Sequence, residues 1–260
     1  MEIVSSRKNA NVRFLRQLLR EKQTRDEHGI FAVEGDHLCG ELVRAGFKVT
    51  FAAYTEKAAA KYPETVAVLS EKADTVIVIT EELSEYISDT KSPQGLFAAA
   101  VIRGMADGAQ TFDEKARKIV VLDGVQDPGN VGTMIRAAEA LGADGAMLLH
   151  GCADIWSPKT LRASMGSVFR LPVINADVSD IPKLLNGFTL YGAMLDNTAK
   201  RLGEVKFPEK TAVVIGSEGA GISSEVAGLC DEKIYIPIKG AESLNAATAA
   251  AIIMWELGKA

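Results

Sequence analysis

Three well-separated stretches of this 260-residue chain hold the polar residues best placed to carry chemistry: Asn130 with Arg136, Glu218 inside a cluster of glycines, and Ser243 with Asn245. The first lies in KIVVLDGVQDPGNVGTMIRAAEALGADGAMLL, Lys118 to Leu149. A β-branched run (Ile119, Val120, Val121) enters the turn Pro128-Gly129-Asn130, after which Met134, Ile135, Ala138 and Leu141 recur at helical spacing. Gly142 stops that helix and GAMLL opens another strand, which makes a β-α-β unit with its polar residues where the first strand ends. In an open parallel sheet that edge is where ligands bind. Asn130 is expected at the N-cap, with Arg136 about two turns inside the helix. Taken alone, the pair also reads as a capping residue and a solvated outer face.

In AVVIGSEGAGIS, Ala212 to Ser223, a hydrophobic strand runs into Gly216, Gly219 and Gly221, so backbone can approach a ligand closely while Glu218 points a carboxylate in. The spacing G-x-x-G-x-G is not the dinucleotide pattern G-x-G-x-x-G, and the lysine and hydroxyl residue of a phosphate-binding loop are missing. In YIPIKGAESLNAATAAAIIMWEL, Ile236-Pro237-Ile238 ends a strand, a glycine-containing loop follows, and Ser243-Leu244-Asn245 open a helix of small residues. Small residues suit a helix packed tightly against another chain or a threaded loop, and equally a plain capping helix with Ser243 as N-cap.

With 47% hydrophobic and 24% charged residues, the chain has the composition of an ordinary globular protein of one large or two modest domains. It holds no apolar run of about eighteen residues and does not begin as a signal peptide, so a soluble cytoplasmic protein without membrane contact is expected. Cys39, Cys152 and Cys230 lie far apart, and His37 with Cys39 does not make a zinc site; reduced core thiols and no metal are expected. A net charge of −5 counts against nucleic acid, but the charge is unevenly placed. Up to Arg25 the chain carries Arg7, Lys8, Arg13, Arg16, Arg20, Lys22 and Arg25 against only Glu2 and Glu21. Such an arm can hold a phosphate backbone because screening makes local charge count for more than distant charge; a solvated helix face is the alternative.

The front of the chain opens with an amphipathic helix, SSRKNANVRFLRQLLREKQTRD, capped by Ser5, Ser6 or Asn9. The strand IFAVEG, the helix DHLCGELVRAG, the strand VTFAAY, a helix from Thr55 to Lys61, the strands VAVLS and TVIVIT, a helix from Glu81 to Ser88 and the buried strand LFAAAVI complete a mixed α/β module. Residues 103–116 read as a linker. Strands and helices then alternate: KIVVLDG, the helix after it, AMLLH, a helical stretch from Thr160 to Phe169, LPVIN, a helix near Ile181 to Leu185, TLYGAML, TAVVIGSE, a helix after Ser223, KIYIPI, and a long helix from Asn245 to Leu257. Alternation predicts a mainly parallel sheet covered by helices.

Together PGNVGTMIRAAEALG, IGSEGAGIS and IPIKGAESLNAATAAAI resemble, in order and spacing, the three motifs of the SpoU (TrmH-like) branch of the SPOUT methyltransferases. SRKNANVRFLRQLL, GIFAVEG and SPQGLFA resemble the ribosomal-protein-L30-like RNA-binding domain of that family's ribosomal RNA members. The resemblance implies an α/β chain with an L30-like domain at 1–105 and a SPOUT domain at 106–260 that ends in a trefoil knot. It also implies S-adenosylmethionine as methyl donor, 2′-O-methylation of a ribose in RNA, ribosomal before transfer RNA, and a homodimer. Without it the second half reads as an open doubly wound domain. Residue by residue, Asn130, Arg136, Glu218, Ser243 and Asn245 match the family's catalytic positions. Gly216, Ile236, Ile238 and Leu244 match the donor pocket, whose backbone would read adenine. The basic arm, Arg7, Lys8, Arg13, Arg16 and Arg20, would then supply RNA affinity.

Chemistry constrains those roles. A ribose hydroxyl is a poor nucleophile until its proton is leaving, and the matched positions offer no His, Cys or Lys to take it. A guanidinium normally stays protonated, so Arg136 is expected to hold the adjacent phosphate and the developing alkoxide, its part as proton acceptor left open. A carboxylate beside a sulfonium that loses its charge favours the ground state, so Glu218 is expected to orient loops or donor. The competing readings are a non-catalytic RNA-binding or ribosome-assembly protein and a nicotinamide oxidoreductase. The complete polar set counts against the first, and the missing glycine fingerprint against the second.

Overall fold

The structure is a computed structural model and describes residues 3–103, 111–240 and 243–259. The chain divides into two compact units, 1–109 with 156–169, and 110–155 with 170–260.

The first unit begins β1 (Ile3–Val4), α1 (Ala10–Arg20), α2 (Lys22–His28), β2 (Ile30–Glu34), α3 (Asp36–Arg44), β3 (Val49–Tyr54) and α4 (Glu56–Lys61). It continues α5 (Pro63–Lys72), β4 (Thr75–Ile79), α6 (Glu81–Ile87) and β5 (Leu96–Val101). Its sheet has the order β1-β4-β3-β5-β2, parallel over the first three strands and antiparallel where β5 meets β3 and β2. Asn9 caps α1 by accepting the N–H groups of Asn11 and Val12, and the helix buries Val12, Leu15, Leu18 and Leu19 in a core with Ala32, Phe51 and Phe97.

Two expectations are corrected here. The single basic helix divides at Glu21, whose backbone is extended, and the turn carries Arg25 inward, where it is 3% exposed and donates to the Leu18 carbonyl oxygen at 2.7 Å. Arg25 therefore leaves the exposed arm. VAVLS, expected as a strand, lies within α5. Pro63 starts that helix where a missing N–H is harmless, and Val66 and Leu69, three apart, bury one helical face, a period that outweighs the β-branched composition.

The second unit takes β6 (Lys118–Asp123), α7 (Pro128–Ala140) and β7 (Gly145–Leu149). The chain then lends α8 (Pro158–Ser164) and a 3-10 turn (Ser167–Phe169) to the first unit. There the Trp156 and Phe169 rings lie 4.5 and 5.8 Å from that of Phe31, and Arg162 grips Asp89 through two bonds of 2.8 and 3.0 Å. This stretch was expected among the helices covering the parallel sheet; its aromatic residues instead complete the first unit's core. The second unit resumes with β8 (Val173–Ala176), α9 (Ile181–Leu184), β9 (Thr189–Ala193), β10 (Lys200–Arg201), β11 (Thr211–Gly216), α10 (Ser224–Ala227), β12 (Glu232–Tyr235) and α11 (Ala246–Gly258).

All seven strands of this sheet are parallel, in the order β10-β12-β9-β11-β6-β7-β8. β11 is buried along its whole length, as expected of a parallel strand covered on both faces. From β6 the chain moves outward through β7 to β8 and afterwards fills the other side, so the order reverses between β6 and β11. The loops leaving those two strands open at that switch point. α11 packs on α7 and on β11 and buries Ala246, Ala247, Ala250, Ile253, Met254 and Leu257. No helix among the described residues is long and apolar enough to cross a membrane.

Candidate active site at the switch point

α7 starts at Pro128, and Asp127, not Asn130, is its N-cap: the Asp127 carboxylate accepts the Asn130 N–H at 3.0 Å. An acid directly before a proline at the first helical position is a start signal that sequence reasoning passed over. The correction frees the Asn130 side chain. With its backbone N–H satisfied by Asp127, the amide turns to the two other segments.

The Asn130 amide donates to Glu218 Oε1, and Asn245 Nδ2 donates to Asn130 Oδ1 at 3.2 Å. Asn245 Oδ1 in turn caps α11, accepting from Ala247 N at 3.0 Å and Thr248 N at 3.2 Å. The direction of this chain is fixed by chemistry. An ionised carboxylate only accepts, so Asn130 must face Glu218 with its NH2; its carbonyl then faces Asn245, which must also present NH2 and is left with its oxygen for the helix cap. Asn245, not Ser243, is therefore the N-cap of α11.

Glu218 sits at the tip of a hairpin closed by Ser217 N to Gly221 O and Gly221 N to Ser217 O, both 3.0 Å. Gly216 permits the closure, because a β-carbon there would stand 2.1 Å from the Gly221 carbonyl carbon and 2.3 Å from the Ile222 nitrogen. Backbone cannot yield as a flexible side chain can, so no other residue fits. Asp123, which pairs with Gly216 in the β6–β11 register, is 7% exposed and accepts the Ser223 N–H at 2.7 Å. It ties the far end of the hairpin segment to the end of β6. Neither Asp123 nor the hairpin bridge was singled out from sequence; an Asp ending an otherwise apolar strand was the available signal.

The remaining expected residues are less gathered. Arg136 is exposed and makes no hydrogen bond or ion pair among the described residues. Six residues along a helix set it roughly 120° around the axis from Asn130 and about 9 Å further along, on a different face of α7. Ser243 is exposed two residues before the cap, Gly216 is buried, and Ile236, Ile238 and Leu244 are half-buried beyond β12 and before α11. The backbone groups of Ile238 and Leu244 make no hydrogen bond among the described residues. Burial pushes the thiols of Cys152 and Cys230 up to about 11, which keeps both protonated and unreactive at neutral pH. Among the described residues no group of His, Cys, Asp and Glu could hold a metal ion.

Residues 117–255, which include every member of this cluster, match the SpoU rRNA Methylase family, and residues 9–98 match an MRM3-like substrate binding domain. The chain belongs to the SpoU rRNA methylase family. It is 34% identical to the 23S rRNA (guanosine(2553)-2′-O)-methyltransferase RlmP of Bacillus subtilis over 99% of either protein. It is 29% identical to the 23S rRNA (uridine(2479)-2′-O)-methyltransferase of Streptomyces viridochromogenes, over 96% of this chain and 89% of that one. Among solved structures, the AdoMet-bound rRNA methyltransferase from Sinorhizobium meliloti superposes with a TM-score of 0.87 at 27% identity, covering 99% of this chain and 97% of that one. The SpoU methyltransferase AviRb of Streptomyces viridochromogenes, in complex with the cofactor AdoMet, gives 0.85 at 27% identity over 97% and 98%. For a SpoU protein of this similarity the α/β fold and parallel sheet are those of SPOUT methyltransferases.

Proposed function

We propose that this chain transfers the methyl group of S-adenosylmethionine to a ribose 2′-hydroxyl of ribosomal RNA. The observation that carries the reading is the Asn245–Asn130–Glu218 chain, which joins all three family motifs at the switch point of the parallel sheet. The residues present suit the donor. Gly216 allows the hairpin to close, and the free backbone of Ile238 and Leu244, with Ile236 beside them, offers hydrogen bonds of the kind that read an adenine edge. When bound, the donor supplies an electrophilic methyl on a sulfonium.

The chain's own residues bind and orient. Glu218, exposed at the hairpin tip and held by Asn130, fixes the hairpin against α7 and keeps its charge on that contact, in keeping with a step in which the sulfonium loses its charge. Asn245 places the start of α11 beside Asn130, and Ser243, exposed two residues earlier, is left to meet a substrate or donor. Arg136, with its five donors uncommitted, takes the phosphate next to the target ribose and the oxyanion that develops on O2′.

Because Arg136 is exposed on a different face of α7 from Asn130, a second copy completes the site in this reading, and the functional unit is a homodimer. The outer face of α11, where Trp255 is 58% and Ile252 36% exposed, supports that association. A trefoil knot is part of the reading. After β12, on the far side of β9, the chain returns to pack α11 on α7, which favours passage through the loops at the switch point.

Residues 1–105, with 156–169 packed into the same unit, are the L30-like substrate domain and the rest of 106–260 the methyltransferase domain, a division supported by the two family matches. The first supplies RNA affinity through Arg7, Lys8, Arg13, Arg16 and Arg20, none of which meets a carboxylate among the described residues. In a chain of net charge −5, five unneutralised cations on one short arm are the footprint of a polyanion. The bacterial relatives favour a cytoplasmic location. Mapping 2′-O-methyl groups in ribosomal RNA from cells with and without the protein tests the reading; a map that does not change contradicts it.

A further inference from the structure

Between α1 and α6 lies a depression of about 260 Å3 lined by Arg13, Phe14, Arg16, Gln17, Glu21 and Tyr86. We propose that it is a subsite for one unpaired nucleotide of the RNA, an inference that rests on the RNA-methylating reading above.

The walls are those of a base-stacking site. The Arg16 Nε donates to the Tyr86 carbonyl oxygen at 3.1 Å, which holds its guanidinium over the Tyr86 ring, 4.5 Å from the centroid. Arg7 lies over the same ring at 4.8 Å. Phe14 is steadied by an edge contact with His28, centroids 4.9 Å apart. Aromatic faces and guanidinium planes are the surfaces on which splayed bases stack, and a base still paired in a helix cannot enter a hollow between two helices.

Polarity runs along the hollow. Toward the α1 N-terminal end, Arg7 and Arg13 keep donors for a phosphate. Some eight residues on, about 12 Å along the helix axis, stands the Glu21 carboxylate, which accepts the Thr24 hydroxyl at 2.8 Å. A carboxylate repels phosphate and accepts amino or imino hydrogens. The nucleotide therefore sits with its phosphate at the arginine end and its base edge toward Gln17 and Glu21.

The test is fluorescence anisotropy of the full chain with a fluorescein-labelled single-stranded heptaribonucleotide of mixed sequence, its duplex as the comparison, across a salt series. Wild type binds the single strand at least tenfold more tightly than the duplex. Tyr86→Ala weakens it roughly 5- to 100-fold with the salt slope unchanged, as for loss of the ring that holds the Arg16 and Arg7 guanidinium planes on which the base stacks, and Tyr86→Phe restores it. Arg13→Ala lowers the slope by about 0.7. Gln17→Ala, an exposed position clear of the core, weakens binding several-fold, so the inference does not depend on how well Tyr86→Ala folds. Equal affinity for strand and duplex, or binding by Tyr86→Ala and Gln17→Ala within twofold of wild type, overturns the subsite. Wild-type methylation of ribosomal RNA with such results would leave the enzymatic reading standing; no methylation by wild type would remove that reading itself.

Discussion

Asn130 gives its side-chain amide to Glu218, 88 residues away in sequence, and takes one from Asn245, 115 residues away. The carboxylate accepts and each asparagine amide has one orientation that satisfies both neighbours. Asn130→Asp would set a carboxylate against Glu218 and replace a donor with an acceptor. Methyl transfer is expected to fall on the order of 10²-fold while the melting temperature changes little, since Glu218 is solvent-exposed and its charge screened. Asn130→Asp with Glu218→Gln reverses the direction of the bond and should recover part of the loss. A double-mutant cycle measures this; additive losses would mean that the two residues act independently.

Gly216→Ala tests the hairpin closure. The added carbon runs into the peptide group that joins Gly221 to Ile222. The expected cost is at least about 3 kcal/mol, with donor binding lost under conditions where the remaining protein is folded. Urea unfolding with calorimetric titration of S-adenosylmethionine gives both numbers, and a variant of wild-type stability and affinity would refute the geometry.

Much of this was legible in the sequence, and the exceptions have physical causes. Strand runs such as Thr211 to Gly216 were visible because burial on both faces leaves a continuous apolar run. The polar residues of the three motifs were visible as types, but their bonding was not: Asn130 looked like a cap because Asp127 satisfies an N–H that lies three residues on in sequence. α5 was hidden because Val66, Val68 and Leu69 fit a strand until Pro63 and the burial of Val66 and Leu69 decide the period. The departure of 156–169 to the first unit depends on aromatic contacts with Phe31, more than a hundred residues away, which no local pattern encodes.

In the first unit, burial pushes the Glu34 carboxyl above its ordinary range, while bonds from the Ser88 hydroxyl at 2.6 Å and the Gln94 N–H at 3.3 Å partly offset it. The sign is unusual for a carboxylate. Its native form holds the proton more tightly than the unfolded chain does, so stability falls as pH rises from the unfolded value through the raised native one. Glu34→Gln removes this dependence. Urea unfolding between about pH 4 and 7 should show the variant gaining on wild type as pH rises and then levelling; a constant gap would contradict it.

The proposed dimer makes Trp255 a sensitive position. Trp255→Glu places a charge on the outer face of α11 without disturbing the side packed on α7. Sedimentation should show wild-type dimers and variant monomers of similar melting temperature, with turnover lost because Arg136 no longer reaches a second copy's cluster. A fully active monomer at assay concentration rules out the shared site.

In the proposed reaction Arg136 assists methylation of the ribose. The decisive measurement is single-turnover transfer from radiolabelled S-adenosylmethionine to unmodified ribosomal RNA, with nucleosides identified by mass spectrometry, for wild type and Arg136→Lys. A point charge does not replace a planar fork, so the variant should fold and bind donor normally yet transfer on the order of 10²–10³ more slowly, and the wild-type product should be one 2′-O-methyl nucleoside. Equal rates for the two proteins, label on a base, or no label in RNA would contradict the account.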